Sequence, residues 1–294
     1  MNYLETDVLR VAYESGGPPD GARVLLLHGW PDDVRGLLGL VPYFENAGLQ
    51  WVAPYLRGFG PTEFRDSQTV RDGSAFALAQ DALDLVNHLE WSRFAVIGHD
   101  WGARIAYTLA AIVPERLSMI AALALAYSPR GAFPTPSFQQ SRRWWYQWFM
   151  STEGGASAVR RDPKGFARIQ WETWSPAGWF EEPDFQLTAR AFENPDWIDI
   201  TLHGYRSRWR AERMDPRYDR LREQVAGTEQ LRVPAVMIQG EADGCNPPSE
   251  SENQDRYFPA GYHRAVLGNV GHFPAREAPQ AVAETLLDHL SVRR

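Results

Sequence analysis

The stretch Gly98-His99-Asp100-Trp101-Gly102 constrains this chain more than any other. It closes a continuous apolar run, Phe94-Ala95-Val96-Ile97, and opens a helical pattern, Ala103-Arg104-Ile105-Ala106-Tyr107. A buried strand that passes directly into a helix must bend within a few residues. Glycine at 98 makes room for that bend, and glycine at 102 lets the helix pack close to the strand. The side chain presented at such a bend is Asp100. A carboxylate is ionised at neutral pH and can attack a saturated carbon bearing a leaving group, forming an ester with the protein. Taken alone, five residues also fit a glycine-flanked turn with a solvated Asp.

The rest of the chain alternates strand-like and helix-like segments, the pattern of a doubly wound, mostly parallel α/β sheet. An early strand is expected over 7–13, buried strands at 24–27, 51–54 and 94–97, and a further strand from 117 to about 126. Strands at 235–238 and 264–267 complete the sheet. Helices are expected over 34–48, over 74–89 with Ser74 as N-cap, after the elbow to about 113, and over 279–290. Between residues 131 and 232 the alternation stops. This block is helical by pattern and holds eight of the chain's 12 tryptophans. It reads as a cap inserted between core segments 1–130 and 233–294. A cap there would cover the sheet edge where open α/β sheets bind ligands. Its aromatic residues would line an apolar pocket, although most are expected to form the cap's own core.

At 294 residues the chain can bury a sizeable core. Its net charge of −7 and pI near 5.6 disfavour nucleic acid and anionic membranes as partners. No apolar run reaches the ~18 residues of a membrane span. The first residues lack a basic segment and an apolar segment, so a cytoplasmic protein is expected. A single cysteine, Cys245, excludes an intrachain disulfide and reads as a small packed side chain. No spacing of His, Cys and carboxylates makes a metal site, and no cofactor is expected.

Three further loops follow strands and carry reactive residue types. His28-Gly29-Trp30-Pro31 follows the first buried strand, with His28 read as a loop anchor. Gly240-Glu241-Ala242-Asp243-Gly244 offers two carboxylates, of which Asp243, placed before glycine, is preferred over Glu241. Gly268-Asn269-Val270-Gly271-His272 places a histidine in a glycine-bounded loop near the C-terminus. His99 lies inside the elbow and would point away from the pocket if Asp100 points in.

Together HGWPD, RGFGP, GHDWG and GNVGH resemble the epoxide hydrolase and dehalogenase branch of the α/β-hydrolases, over essentially the whole chain. GHDWG is especially similar to soluble epoxide hydrolases. The resemblance implies an α/β-hydrolase fold with an inserted helical cap. It also implies the order Asp100 nucleophile, Asp243 acid, His272 base. The backbone N–H groups of Trp30 and Trp101 would form the oxyanion hole. The run Trp145-Tyr146-Gln147-Trp148-Phe149 and the pair Tyr205-Arg206 resemble the places where epoxide hydrolases carry two cap tyrosines that hydrogen-bond the epoxide oxygen. Tyr146 and Tyr205 are therefore the expected proton donors, each alternatively a cap-packing residue. Gln147, Trp148 and Arg104 are expected to contact substrate.

The implied activity is opening of a small apolar epoxide to a diol, by way of an Asp100 ester that His272-activated water hydrolyses. A haloacid or haloalkane dehalogenase is the second reading. Haloalkane dehalogenases often have Asn where this chain has Trp30. Haloacetate dehalogenases share Arg104, Trp148 and Tyr205 but usually have Arg at 101 and His at 147. A ligand-binding protein without catalysis is the third. A homodimer is allowed for, but nothing in the sequence sets the oligomeric state.

Overall fold

A computed structural model describes residues 1–133 and 135–290. Its strands are β1 (Asn2–Glu5), β2 (Leu9–Gly16), β3 (Ala22–Leu27), β4 (Leu49–Pro54), β5 (Glu63–Phe64), β6 (Phe94–His99), β7 (Leu117–Leu123), β8 (Ala235–Gly240) and β9 (Tyr262–Leu267). They form one sheet in the order β1-β2-β4-β3-β6-β7-β8-β9, with β5 beside β2. From β4 to β9 every pairing is parallel, and only β1, β2 and β5 run antiparallel.

Strand periodicity sorts the core into two layers. Leu25, Leu27 and Val96 face one layer, and Val24, Leu26, Ala95 and Ile97 face the other. All of these are fully or almost fully buried, as expected for central parallel strands covered on both faces. Ser74 caps the helix Ala75–His88 by accepting from the Ala77 N–H.

Several element boundaries differ from the sequence expectation: the closing helix ends at Leu287 instead of 290, strands β3, β4 and β9 each begin two residues early, and three further differences have a local cause. The early strand starts at Leu9 because the Thr6 hydroxyl accepts from the Val8 and Leu9 N–H groups in a local turn. The segment 34–48 forms two short helices, Arg35–Leu38 and Val41–Asn46, instead of one. Pro42 sits in the first turn of the second, where its missing N–H is tolerated, whereas in a continuous helix its ring would collide with the Leu38 carbonyl. β7 stops at Leu123, since Ala124 takes a left-handed conformation with φ 62°.

Between β7 and β8 the chain forms a run of helices from Phe138–Arg143 to Asp219–Ala226. Buried polar contacts fix this insertion to loops above the sheet. The Trp171 indole N–H donates to the Pro31 carbonyl at 2.7 Å. Asn194 Nδ2 donates to the Gly60 and Thr62 carbonyls at 2.8 and 2.7 Å. Arg57, fully buried, pairs with both Asp81 oxygens at 2.6 and 2.7 Å and donates to the Tyr218 hydroxyl at 2.9 Å.

The elbow between β6 and the helix Trp101–Ile112 depends on close backbone approach. A Cβ at Gly98 would lie 2.0 Å from the Gly102 carbonyl oxygen, and one at Gly102 would lie 1.9 Å from the Leu27 carbonyl oxygen. Neither neighbour is a flexible side chain, so the backbone itself would have to move. Gly102→Ala is expected to lower stability by about 3 kcal/mol, the upper range for forced overpacking. Urea unfolding would measure this, and a midpoint within error of the native protein would contradict the packing argument.

Candidate active site

Asp100 sits at the bend with φ 49° and ψ −105°, outside the regions a non-glycine residue ordinarily occupies. Its N–H donates to the Leu123 carbonyl at 3.1 Å, which ties the bend to β7. Its side chain points beneath the helical insertion and is buried. The Trp30 backbone N–H donates to Asp100 Oδ1 at 3.0 Å. Asp100 Oδ2 lies 3.8 Å from His272 Nε2, and that ring nitrogen has no hydrogen-bond partner among the described residues.

On its other side, His272 Nδ1 is 2.9 Å from Asp243 Oδ2. Asp243 is itself fixed: its Oδ1 accepts from the Cys245 and Asn246 N–H groups at 2.7 and 2.8 Å. One carboxylate oxygen is thus committed to the loop and the other to the imidazole. Nδ1 carries the proton in this arrangement, which leaves the Nε2 lone pair directed at Asp100. Glu241, the competing carboxylate, is exposed.

The charge balance of His272 has a definite sign. Burial by itself lowers its pKa. The negative charge and hydrogen bond of Asp243, then the charge of Asp100, more than offset this and raise it above the ordinary histidine value. Tyr146 and Tyr205 are both buried, and burial pushes their hydroxyls well above the usual tyrosine value. Both are therefore neutral hydroxyls at physiological pH.

The two tyrosines come from separate helices of the insertion, Trp145–Ser151 and Trp197–Arg206. Their rings meet edge to face at 5.3 Å, and both pack on the Trp30 ring, at 5.6 and 5.0 Å. Gln147 Nε2 donates to the Tyr146 oxygen at 3.0 Å, so the Tyr146 proton is turned elsewhere. Cys245 Sγ is 3.6 Å from the same oxygen. The Tyr205 hydroxyl has no protein partner among the described residues.

The other expected residues have distinct places. The Trp101 ring packs beside Tyr205 at 5.5 Å, and its indole N–H lacks a partner among the described residues. The Trp30 indole N–H is engaged by the Thr201 hydroxyl at 3.1 Å. Trp148 packs at a tilt on Trp209 at 4.2 Å and donates to the Ser141 carbonyl, both within the insertion. Arg104 stands one helical turn after Asp100, over the Phe133 ring and facing a cavity. His28 anchors its loop by accepting from the Leu56 N–H at 3.1 Å, and burial lowers its pKa to about 4. His99 turns away from Asp100, with Nε2 2.7 Å from the His272 carbonyl.

Several contacts at the site carry no sequence signal of their own. Trp174 packs edge-on against the His272 ring at 4.6 Å. The Ser175 hydroxyl and the Trp174 carbonyl both accept from the His272 N–H. Glu277 accepts from the Gly271 and Phe273 N–H groups and from the Ser175 hydroxyl. The His272 loop is therefore held between the insertion and the C-terminal core. Glu277 follows the loop by only five positions, and a carboxylate so placed is the one cue that could have been read beforehand.

Comparison with known proteins agrees with this architecture. The model of the alpha/beta hydrolase fold family matches residues 22–279. Epoxide hydrolase A of Mycobacterium tuberculosis is 23% identical, over 98% of this chain and 96% of its own length. The AB hydrolase superfamily protein YfhM of Bacillus subtilis is also 23% identical, over 98% of this chain and 96% of its own length. A solved structure of a candidate epoxide hydrolase from Klebsiella pneumoniae superposes with a TM-score of 0.91 at 32% identity, covering 98% of this chain and 96% of that one. The chain belongs to the α/β-hydrolase-fold family and is an epoxide hydrolase-like member of it.

Proposed function

We propose that the protein opens a small epoxide to a vicinal diol through an ester on Asp100. The observation that carries this reading is the single buried cluster of Asp100, the Asp243–His272 pair and two neutral tyrosine hydroxyls. The relatives named as epoxide hydrolases give it independent support.

In the first step an Asp100 oxygen attacks an epoxide carbon and the carbon–oxygen bond opens. The developing alkoxide takes a proton from Tyr205 or Tyr146. The low-dielectric surroundings strengthen that hydrogen bond as charge builds. In the second step His272 Nε2 removes a proton from water, which attacks the Asp100 carbonyl carbon. Trp30 N–H, already directed at an Asp100 oxygen, and the Trp101 N–H stabilise the oxyanion. Collapse releases the diol, regenerates the carboxylate, and the proton on His272 returns to the tyrosinate.

The electrostatics favour this order. The Asp100 charge helps to hold the His272 pKa up, and esterification removes that charge. Before alkylation the imidazole is therefore more basic and more readily protonated, and once the ester forms its pKa falls, so that a neutral Nε2 is available when water must be deprotonated.

Halide displacement by Asp100 is the second reading, favoured by the unpartnered Trp101 indole N–H. The Trp30 indole is already committed to Thr201, so a departing halide would find one indole donor instead of two. Parallel assays for diol from a styrene-oxide-like epoxide and for halide from fluoro- and chloroacetate separate the readings. Halide release with no diol would replace the epoxide assignment.

Asp100→Asn is expected to lose at least about a thousandfold in kcat/KM with its fold intact. Circular dichroism would check the fold, and mass spectrometry would exclude deamidation back to Asp. Activity near the native level in such a sample would remove Asp100 from the mechanism.

His272→Gln is expected to leave alkylation possible but stall hydrolysis of the ester. Intact-protein mass spectrometry should then find an adduct of substrate mass, mapped to Asp100 by peptide analysis. An unmodified protein after incubation with an epoxide that the native enzyme consumes would rule out the two-step scheme.

Tyr205→Phe and Tyr146→Phe each keep the ring and remove one donor. Losing a hydrogen bond to a charging oxygen costs about 1–3 kcal/mol, or roughly ten- to hundredfold in alkylation rate. Single-turnover kinetics would measure it, and a double variant that alkylates at the native rate would refute the proton-donor role.

A further inference from the structure

A cavity of about 130 Å³ opens beside the buried site. It lies between the helix Trp101–Ile112, the end of the helix Trp197–Arg206 and the loop at Phe133. Trp101 and Gly204 belong to its wall, so it touches the neighbours of both Asp100 and Tyr205. Most of the remaining wall is apolar, including Leu78 and Tyr107.

Two arginines interrupt that wall. The Arg104 and Arg208 guanidinium carbons lie 4.6 and 4.8 Å from the centre of the same Phe133 ring. Neither makes a salt bridge among the described residues. Two other arginines near the insertion, buried Arg57 and partly buried Arg276, do pair, with Asp81 and Asp32. Among the described residues Arg208 Nε is buried without a partner, and the side chain makes a long 3.5 Å contact to Gln147. Burial, and then the charge of Arg208, lower Arg104 to about 10. Two mutually repelling cations in a largely apolar cavity are costly unless an anion joins them. Glu250 shares the field of Arg104, but burial first, and Asp243 next, hold it near 7, and no hydrogen bond links the two.

We propose that Arg104 and Arg208 form an anion subsite, and that the epoxide opened at Asp100 carries a carboxylate at the far end of a short hydrocarbon spacer. This rests on the epoxide reading given above. A monoanion fits better than a phosphate dianion, because the Asp100 charge lies near enough to act on Arg104 and would repel a second negative charge more strongly. The flat carboxylate also matches the fork of a guanidinium. The apolar wall then takes the spacer, which runs past Trp101, the wall residue adjacent to Asp100.

Two comparisons test the subsite, and the first requires no turnover. Calorimetric titration of the native protein with heptanoate and with heptanamide compares ligands of one length. Heptanoate is expected to bind at least about tenfold tighter, the gain typical of one charge-assisted contact. That ratio should fall toward one in Arg208→Gln and in Arg104→Gln, and be partly kept in Arg208→Lys. The second comparison is kcat/KM for 6,7-epoxyheptanoate against its amide, with the same ratio expected in the native enzyme. Equal affinity for heptanoate and heptanamide overturns the subsite, whatever the enzyme turns over. A preference that survives both Gln variants overturns its assignment to these arginines. A heptanoate preference that both variants abolish, with no diol from either epoxide, leaves the subsite standing and removes the epoxide reading instead.

Discussion

The backbone bend at Asp100 carries the rest of the site. A residue with a side chain holds φ 49° and ψ −105° only where its surroundings enforce it, at a cost of order 1–3 kcal/mol. Here β6 on one side and the helix Trp101–Ile112 on the other supply the enforcement. The helix can come that close because position 102 lacks a Cβ, which would otherwise strike the Leu27 carbonyl. Packing around β3 and β6 thus aims one carboxylate away from the sheet, and the Trp30 N–H meets it there. The strained conformation and the presented side chain are the same structural event.

Around that carboxylate the charges are arranged in series. Asp243 orients and polarises His272, His272 faces Asp100, and every member is buried. In such surroundings the sign of each interaction matters more than its count. Asp243 has half of its carboxylate occupied by loop N–H groups, so it cannot swing away from the imidazole without leaving them unpaired. The His99 contact to the His272 carbonyl and the Ser175 contact to its N–H hold the backbone of the same residue from two sides.

The helical insertion does more than exclude water. Trp171, Asn194 and Tyr218 bind loops of the sheet through buried hydrogen bonds, and Trp174 touches the imidazole directly. Its tryptophans divide by role. Trp148 and Trp209 pack on each other within the insertion, whereas Trp174 and Trp197 pack on Trp30 beneath it. Composition revealed an aromatic block but not this division, because a helix pattern gives the buried face without saying which neighbour covers it.

The fold was legible because its signals are local. Apolar runs that end in glycine turns, the Ser74 cap and the glycines at 98 and 102 each act within a few residues. The misplaced boundaries were local too, where one residue, Pro42 or Ala124, overrides a longer pattern. Asp100, Asp243 and His272 could be picked out because each follows a strand, and parallel strands bring those ends to one edge of the sheet. The sequence by itself determined the sheet, the bend and the residue types at its edge. Only the tertiary structure decided which Asp243 oxygen meets His272, that Gln147 turns the Tyr146 hydroxyl, and that Arg104 and Arg208 share one phenyl ring. Those contacts join residues far apart in the chain, so they are fixed by how the insertion packs on the core and not by any pattern along it.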